Sequence, residues 1–352
     1  MVQRVAWLTT DLGVAEGRVI PGGCAYYRCY LPMRSIGIED QIIGKPAWTG
    51  EHGFGVRLPG KFARFGYDVI VLKLLFDRSL AHQMRVARSL GQKIVVDVDD
   101  YLDEVDPRNV SSRVLTEQRL DSFRAAAREA DRIIVSTQEL FDVYSRFHGD
   151  VRIIRNGIDA SKYPIHAQGN TPIVGWVGAI PWRSGDIETL REWLPDMCED
   201  GLIGGIVHLG HIPGERTFAE AAGIEPTFVR TLPMVPLTRY PQALAASGMD
   251  IGLVLLTDIP FNRAKSFLKG MEYAAAGIIP VAQGLPEYQR LAETGVGRVA
   301  HTAEDWTAQL EILVKMGRRA RTRLARADRR NLISAHDMSQ REQAWKAAIT
   351  DW

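Results

Sequence analysis

Short apolar runs rich in β-branched residues alternate with helical segments along the chain, and this alternation restricts the possible folds more than any other feature. A strand that is buried on both faces of a parallel sheet has such a run, because neither of its sides meets water. In the first half of the chain the predicted strands are residues 5–9, 67–75, 93–98, 131–135 and 151–154. Strands that alternate with helices in this way predict a doubly wound parallel sheet.

A polar stretch at residues 163–171, which contains Pro164 and Gly169, interrupts the pattern and is the predicted linker. The pattern then starts again, with predicted strands at residues 173–177, 205–209, 251–256 and 278–282 and another near Phe228. The predicted fold class is therefore α/β, with two doubly wound, Rossmann-like domains. Since ligands of such sheets bind beyond the carboxyl ends of the strands, we expect the site in the cleft between the domains.

The predicted first domain comprises residues 1–165 and the second domain comprises residues 171–332. A chain of 352 residues is long enough for about two such cores. The last segment, residues 333–352, contains Trp345 and Trp352, so we expect it to dock on a domain rather than extend into solvent.

Composition and charge argue against several classes of protein. The net charge of +1 gives no electrostatic basis for stable nucleic-acid binding, which usually requires a basic excess. The three cysteines lack the spacing of a disulfide framework or a zinc site, as is usual in a reducing compartment. No apolar run approaches the ~20 residues of a membrane span. We therefore expect a cytoplasmic protein.

An arginine-rich helix is predicted at residues 319–332, near the end of the second domain. Its cations could rest on an anionic membrane surface, or they could form an ordinary solvated helix face. On either interpretation, contact with a membrane is at most peripheral.

Residues 262–291 contain the most informative charged side chains. A helix is predicted from about residue 262 to Gly277, because glycine can adopt the left-handed conformation of a C-terminal cap. Lys265, Lys269 and Glu272 would share one face of this helix. Two cations beside the positive end of a helix dipole indicate that an anion binds there, and Glu272 could then bind a sugar hydroxyl. The alternative is a surface helix with a Lys269–Glu272 ion pair.

A second candidate ligand-binding feature is the pair Gly22 and Gly23. The pair follows the first predicted strand and precedes a helix predicted at residues 25–36, which Pro32 would kink or end. Glycine lets a ligand approach backbone N–H groups at a helix start. The pair lacks the G-x-G-x-x-G fingerprint, so a nicotinamide cofactor is not predicted.

The order of motifs resembles that of the retaining GT-B glycosyltransferases, especially the large family 4 group that uses nucleotide sugars. The resemblance covers nearly the whole chain and rests on the Gly22-Gly23 loop followed by four segments. These segments are VRIIRNGID, PIVGWVGAIPWRSGD, TLPMVPLTRYPQALAASGMDIGLVLL and KSFLKGMEYAAAGIIPVAQGLPEY. The resemblance implies the GT-B architecture, with two Rossmann-like domains facing across a cleft and a C-terminal helix that crosses back to the first domain.

The resemblance also implies a donor-binding set in the second domain. Glu272 aligns with a carboxylate that binds ribose, and backbone groups just before it would meet the sugar and the diphosphate. Gly178 and the loop after it would face the diphosphate, and the loop at residues 231–235 would hold the base. The implied donor-binding residues are Gly178, Arg183, Leu232, Lys265, Ser266, Phe267, Lys269 and Glu272.

Two departures from the family pattern concern the donor sugar and the diphosphate. The paired-glutamate motif of the family has its first Glu eight residues before Glu272, where this chain has Ala264. The donor sugar would then be recognised differently, through Asn262 or Lys265. The family's cations beside the glycine-rich turn of the second domain are also replaced, and Arg183 is the nearest candidate substitute.

The acidic residues Asp97, Asp99 and Asp100 come at the end of a predicted strand. By the resemblance they face the acceptor side of the cleft together with Gly22 and Gly23, and Asp99 or Asp100 could bind or deprotonate an acceptor hydroxyl. A divalent-metal site is an alternative, because hard cations prefer carboxylate oxygens. A role in capping a helix or ordering a loop is another.

The resemblance implies an enzyme that moves a sugar from a nucleotide-diphosphate sugar to an acceptor hydroxyl, with retention and without a metal. The candidate catalytic residues are Arg183, Lys265 and Asp100. The donor, of UDP, GDP or ADP type, is a co-substrate, no further cofactor is expected, and the acceptor is a glycan, a lipid, a protein or a small molecule. The alternatives are a non-catalytic GT-B-like adaptor subunit and another GT-B enzyme such as a nucleotide-sugar epimerase.

If Glu272 binds ribose hydroxyls, the Glu272→Ala variant should bind the donor more weakly by about 1.5 to 3 kcal/mol, as expected for a hydrogen bond to a charged group. Isothermal titration calorimetry of the folded variant measures this loss. Donor affinity equal to that of the wild type would contradict the assignment.

Overall fold

The computed structural model describes residues 3–15, 18–58, 62–203 and 205–352, and within them each half of the chain forms its own sheet system. The strands of the first half are β1 (Val5–Thr9), β2 (Leu12–Ala15), β3 (Arg18–Pro21), β4 (Gln41–Thr49), β5 (Gly53–Arg57), β6 (Val69–Lys73), β7 (Lys93–Val98), β8 (Arg132–Val135) and β9 (Val151–Ile153). Seven of them form one sheet in the order β5-β4-β1-β6-β7-β8-β9, in which β5 alone is antiparallel to its neighbour. β2 and β3 form a separate hairpin.

The second half of the chain repeats this architecture. Its strands are β10 (Val174–Val177), β11 (Ile206–His211), β12 (Val229–Pro233), β13 (Ile251–Val254), β14 (Ile279–Gln283) and β15 (Arg298–Ala300). They form a six-stranded sheet in the order β12-β11-β10-β13-β14-β15, and all described pairings are parallel.

Helices cover both faces of each sheet. In the first half they are α1 (Gly23–Ala25), which continues through a π-helical turn (Tyr26–Tyr30) into α2 (Leu31–Ser35), then α3 (Leu80–Ser89), α4 (Glu117–Glu129) and α5 (Gln138–Tyr144). In the second half they are α6 (Ser184–Glu188), α7 (Leu194–Glu199), α8 (Phe218–Ala222), α9 (Tyr240–Ala246), α10 (Pro260–Arg263), α11 (Leu268–Ala275), α12 (Pro286–Glu293), α13 (Ala303–Lys315), α14 (Arg318–His336) and α15 (Glu342–Thr350).

The apolar runs of the strands explain this layering. All five residues of β1 are buried, because one face of the first sheet packs on the helices α3 to α5 and the other packs on α2 and α15. The second sheet is covered in the same way, by α6, α7, α8 and α13 on one face and by α9 and α11 on the other. Each Å² of apolar surface that is buried stabilises the fold by about 25 cal/mol. Burial of both faces of each sheet therefore favours this three-layer arrangement in each half.

All the strands predicted from the sequence are present, and the α/β class is confirmed. The hairpin β2-β3 and the edge strands β4 and β5 were not predicted. β4 contains Gly44 and Pro46, which are uncommon in strands. Pro46 is tolerated because the pairing of β4 with β1 ends at Gly44. The predicted helix at residues 25–36 begins two residues earlier, and Pro32 does not end it, since a π-helical turn precedes it.

The end of the chain returns to the first sheet. Trp345 of α15 is buried against Trp7 of β1, with 5.8 Å between ring centroids, and the guanidinium of Arg28 stacks over it at 4.8 Å. Arg132 of β8 donates hydrogen bonds to the backbone carbonyls of Ala348 and Asp351. These contacts join the last helix to the first half of the chain.

The arginine-rich helix α14 has two kinds of arginine. Arg321 is buried and donates hydrogen bonds to the carbonyls of Gly169 and Asn170, so it fixes the linker between the two sheets. The exposed side chains lie on another part of the helix and form no ion pair with a carboxylate among the residues described. They are Arg318, Arg319, Arg323, Arg326 and Arg330. In the described ranges, no helix is long and apolar enough to span a membrane.

Asp328 of α14 is a buried carboxylate that carries a stability cost at neutral pH. Its side chain is 3% exposed, and its Oδ2 has no hydrogen-bond partner among the described atoms. Burial raises the pKa of Asp328 to about 6, and the nearby Arg298 opposes this only partly. A carboxyl group whose pKa is higher in the folded state than in the unfolded state destabilises the fold above that pKa, where it must ionise in the interior.

The Asp328→Asn variant should therefore be more stable than the wild type at pH 7.5, by on the order of 1 to 3 kcal/mol. The gain should shrink as the pH falls from 6 towards 4, because the wild-type carboxyl group is then protonated in the fold. Urea denaturation at several pH values measures the difference, with Asp142→Asn at an exposed position as the control. A variant less stable than the wild type at pH 7.5 would contradict this account.

Candidate functional site

A cleft of about 580 Å³ lies between the two halves, beyond the carboxyl ends of the central strands of both sheets. In the first sheet the strand order reverses direction between β1 and β6, and in the second between β10 and β13. Such switch points are where parallel sheets bind ligands. The predicted residues that line the cleft are Gly22, Gly23, Asp99, Asp100, Gly178, Arg183, Lys265, Ser266, Lys269 and Glu272.

A network of buried charges supports the first-half wall of the cleft. Lys73, at the end of β6, has no exposed surface; it binds Asp97 at 3.0 Å and also binds Asp99. Arg28 binds the other side of Asp97, with Nη2 2.6 Å from Oδ2. Burial alone would lower the pKa of Lys73, but the two carboxylates outweigh burial and raise the pKa above its usual value. Lys73 is therefore charged at neutral pH.

The same network separates the roles of Asp99 and Asp100. Burial would raise the pKa of Asp99, but Lys73 outweighs it and holds the pKa below its usual value, so Asp99 is a weak base. Its side chain is 13% exposed. The side chain of Asp100 is 29% exposed, lines the cleft and binds Lys265 of the second half at 3.0 Å. Asp100 is thus better placed than Asp99 to meet a ligand.

Gly22 and Gly23 line the cleft as predicted. Glycine is required at position 22, however, for a reason other than the approach of a ligand. A Cβ at Gly22 would lie 1.8 Å from Oδ1 of Asp11, so the glycine makes room for the chain's own carboxylate. Asp11 in turn accepts a hydrogen bond from the backbone N–H of Ala25, at 2.9 Å. The start of this helix is therefore already capped. Gly23 has open space around its Cβ position.

Glu272 is the centre of the second-half wall. It lies on α11, is 3% exposed, and accepts hydrogen bonds from three side chains. Tyr27 donates to its Oε1 at 2.7 Å, and Tyr240 and Lys269 donate to its Oε2 at 2.9 and 2.8 Å. Tyr27 belongs to the first half of the chain, so this carboxylate joins the two halves across the cleft.

Each cation of the cleft has a carboxylate partner. Arg183 lies 3.5 Å from Asp186, Lys265 binds Asp100, and Lys269 binds Glu272. Burial lowers the pKa of Lys265, and Asp100 opposes this shift. An anionic ligand can be bound here by exchange, since each cation can turn from its carboxylate to the ligand.

The helix that precedes Glu272 begins later than predicted. It starts at Leu268, and Lys265 and Ser266 lie in the turn between α10 and α11, so Lys265 does not share a helix face with Lys269 and Glu272. The reason is a contact from the other half of the chain: Thr137 donates a hydrogen bond to the carbonyl of Ala264 at 3.0 Å. Ser266 is held in a similar way, by Nδ2 of Asn156 at 2.8 Å. Lys265 still reaches the cleft from the turn.

Two predicted donor-binding residues lie away from the cleft. Phe267 is buried in the core of the second half, with its ring 4.9 Å from that of His336. Leu232 packs against the same core from β12. Residues 234–237, beyond the end of β12, line the cleft instead. The predicted base-binding loop is therefore shifted towards the carboxyl end of its strand.

Asn262, a candidate for recognising the donor sugar, is also buried away from the cleft. Its Nδ2 donates to Asp186 at 2.8 Å and to the carbonyl of Thr257 at 2.9 Å. Asn262 therefore positions Asp186, the partner of Arg183. Gly178, by contrast, lines the cleft, and its carbonyl is held by Nε2 of the buried His208 at 2.9 Å.

Sequence reasoning missed several residues of the cleft walls. Tyr27, Tyr240 and Asn156 all line the cleft, and Lys73 lies buried behind it. Lys73 had a usable signal, because a lysine that ends a strongly apolar strand needs buried carboxylate partners. The two tyrosines had no such signal, since aromatic residues in a helix usually pack in a core.

The geometry of the described residues does not support the alternative that Asp97, Asp99 and Asp100 form a metal site. No group of three or more His, Cys, Asp or Glu side chains there could hold a metal ion. Asp97 and Asp99 are instead bound by Arg28 and Lys73.

No model of a known protein family matches the chain, and no curated protein matches it in sequence. Solved structures do match its fold. HepE of Anabaena, in complex with UDP-glucose, has a TM-score of 0.63 at 16% identity over 97% of this chain and 98% of its own. The UDP-forming α,α-trehalose-phosphate synthase of Burkholderia xenovorans has a TM-score of 0.55 at 14% identity over 81% of this chain and 74% of its own.

TarM has a TM-score of 0.57 at 11% identity over 80% of this chain, which spans 55% of the length of TarM. Identities this low establish a common fold, and they establish nothing about activity. The chain thus has the GT-B fold that its sequence predicted, two Rossmann-like domains that face each other across a cleft.

Proposed function

We propose that the chain is a glycosyltransferase that moves a sugar from a nucleotide-diphosphate sugar to an acceptor hydroxyl. The donor binds to the second domain, the acceptor binds to the first, and the reaction takes place in the cleft between them. HepE, which has the same fold, was solved with UDP-glucose bound, and this supports a nucleotide-sugar donor.

The observation that carries the proposal is the charge arrangement of the cleft. Arg183, Lys265, Lys269 and Glu272 all come from the second half and line one cavity, and Asp100 faces them from the first half. Cations donate charge-assisted hydrogen bonds to a diphosphate, and a carboxylate beside them accepts hydrogen bonds from ribose hydroxyls. A purely structural salt-bridge cluster would have no need of a cavity large enough for a small-molecule ligand.

The chemistry requires that negative charge be stabilised on the departing nucleotide. The bond between the anomeric carbon and the diphosphate oxygen breaks, and a bond from that carbon to the acceptor oxygen forms. Arg183, Lys265 and the N-terminal amides of α11 would stabilise the leaving diphosphate, since fixed positive groups act strongly in a site that excludes water. Asp100 would accept the proton of the acceptor hydroxyl. Retention of configuration is part of the proposal.

The protein's own cations take the role that a metal has in other transferases, so the proposal includes no metal and no further cofactor. The donor nucleotide is of UDP, GDP or ADP type, and the acceptor is a glycan, a lipid, a protein or a small molecule. We also propose a cytoplasmic location with at most peripheral membrane contact. The exposed arginines of α14 are the surface suited to such contact.

Two alternatives have specific consequences. A non-catalytic adaptor, suggested by Ala264 in place of a glutamate, would bind nucleotide weakly or not at all and would release none from a donor. A nucleotide-sugar epimerase would convert the donor without any acceptor. Analysis of the products formed by the purified chain separates these from transfer.

Thermal unfolding with UDP, GDP and ADP, each with and without magnesium, tests whether the cleft binds nucleotide. A ligand at 100 times its Kd should add about 2.7 kcal/mol to the free energy of unfolding, which raises the midpoint visibly. We expect a shift with one of the three nucleotides and no requirement for magnesium. No shift with any of them at millimolar concentration would favour the adaptor.

The Lys265→Gln variant should lower kcat for release of the nucleoside diphosphate by about 100- to 1000-fold, as expected when a group that stabilises transition-state charge is removed. The rate is measured at saturating donor, with an acceptor or with water. Lys315→Gln is the control, because that lysine is exposed and, among the described residues, its ion pair is with Glu311 on the same helix. An unchanged kcat in Lys265→Gln would remove this residue from the proposed catalytic set.

A further inference from the structure

The carboxylate of Glu272 is almost fully occupied. An ionised carboxylate can accept about four hydrogen bonds. Three donors already use it: Tyr27, Tyr240 and Lys269, at 2.7, 2.9 and 2.8 Å. A ribose that donates both of its hydroxyls needs two positions, so one of the present donors must leave before the ribose binds.

The three donors differ in where they come from. Lys269 lies on the same helix as Glu272, and Tyr240 begins α9 of the same domain. These two also contact each other, with 3.2 Å between Nζ and the hydroxyl. Tyr27 comes from the π-helical turn of the first domain. Of the three bonds to Glu272, a relative movement of the two domains would therefore break the one from Tyr27.

We propose that the Tyr27 hydroxyl is an internal competitor of the donor ribose: it holds Glu272 until a nucleotide binds, and it leaves Glu272 when the ribose takes its place. The inference rests on the proposed function, because it requires Glu272 to bind ribose. It makes Tyr27 a positioning residue that sets donor affinity. Tyr27 lies on the same helical segment as Gly23, so its release carries the signal of an occupied donor site to the acceptor side.

The contacts of Tyr27 extend this coupling to the linker. Since Tyr27 gives its only hydroxyl proton to Glu272, Tyr163 must be the donor in the 2.9 Å bond between the two tyrosines. Tyr163 is buried in the segment that joins the two sheets. Burial and the charge of Glu272 raise the pKa of Tyr27 well above its usual value, so its hydroxyl stays a donor at neutral pH.

The test is the nucleotide affinity of Tyr27→Phe, measured by isothermal titration calorimetry with UDP, and then with GDP and ADP. Loss of the competing hydroxyl should tighten binding about tenfold, the equivalent of roughly one hydrogen bond to a charged group. Tyr26→Phe is the matched control, because it removes a hydroxyl from the same π-helical turn that does not donate to Glu272 in the described structure. That variant should bind no more tightly than the wild type.

A second readout follows the first domain directly. In the wild type, added nucleotide should speed amide hydrogen exchange in residues 23–35, because their bond to the second domain is lost. In Tyr27→Phe the same addition should leave this exchange unchanged. A merely structural role for Tyr27 would give weaker binding in the variant and no such difference.

The outcomes separate this inference from the proposed function. If Glu272→Gln weakens nucleotide binding but Tyr27→Phe does not tighten it, the competitor is overturned and the transferase proposal stands. If the wild type binds none of the three nucleotides, or if Glu272→Gln binds them as the wild type does, the proposed donor site is overturned and this inference falls with it.

Discussion

The buried charges at the carboxyl ends of β6 and β7 determine how the rest of the cleft is arranged. Lys73 and Arg28 enclose Asp97, and removing one partner from such a buried group typically costs roughly 3 to 5 kcal/mol. Arg28 also donates to Asn156, at 3.0 Å, and Asn156 binds Ser266 of the second domain. One network therefore positions the first helix, the strand ends and the turn that carries Lys265.

Charge pairing across the cleft follows from this arrangement. Asp100 lies beside the network and pairs with Lys265. Glu272 accepts a hydrogen bond from the hydroxyl of Tyr27, which belongs to the opposite domain. The described cleft thus contains cations and carboxylates in pairs, and an anionic donor must exchange with groups of the protein. On the proposed function, donor binding and the relative position of the domains would be coupled for this reason.

The two-sheet architecture and most of the charged residues that line the cleft could be predicted from the sequence. Strands buried on both faces have a continuous apolar run, and Asp99 and Asp100 were singled out because they follow such a run. Glu272 was singled out by its helix spacing from Lys269 and by the family resemblance. The later start of α11 was not predictable, since it depends on Thr137, far away in sequence, binding the carbonyl of Ala264. Tyr27 and Tyr240 were missed because helix periodicity does not distinguish a core phenol from one that reaches a carboxylate.

The most direct test of the account is a structure of the protein with the nucleoside diphosphate that stabilises it most. The account predicts the ribose hydroxyls within hydrogen-bond distance of Glu272, the diphosphate beside Arg183, Lys265 or Lys269, and the Tyr27 hydroxyl no longer bound to Glu272. A nucleotide bound elsewhere, with Glu272 still bound to Tyr27, would contradict it.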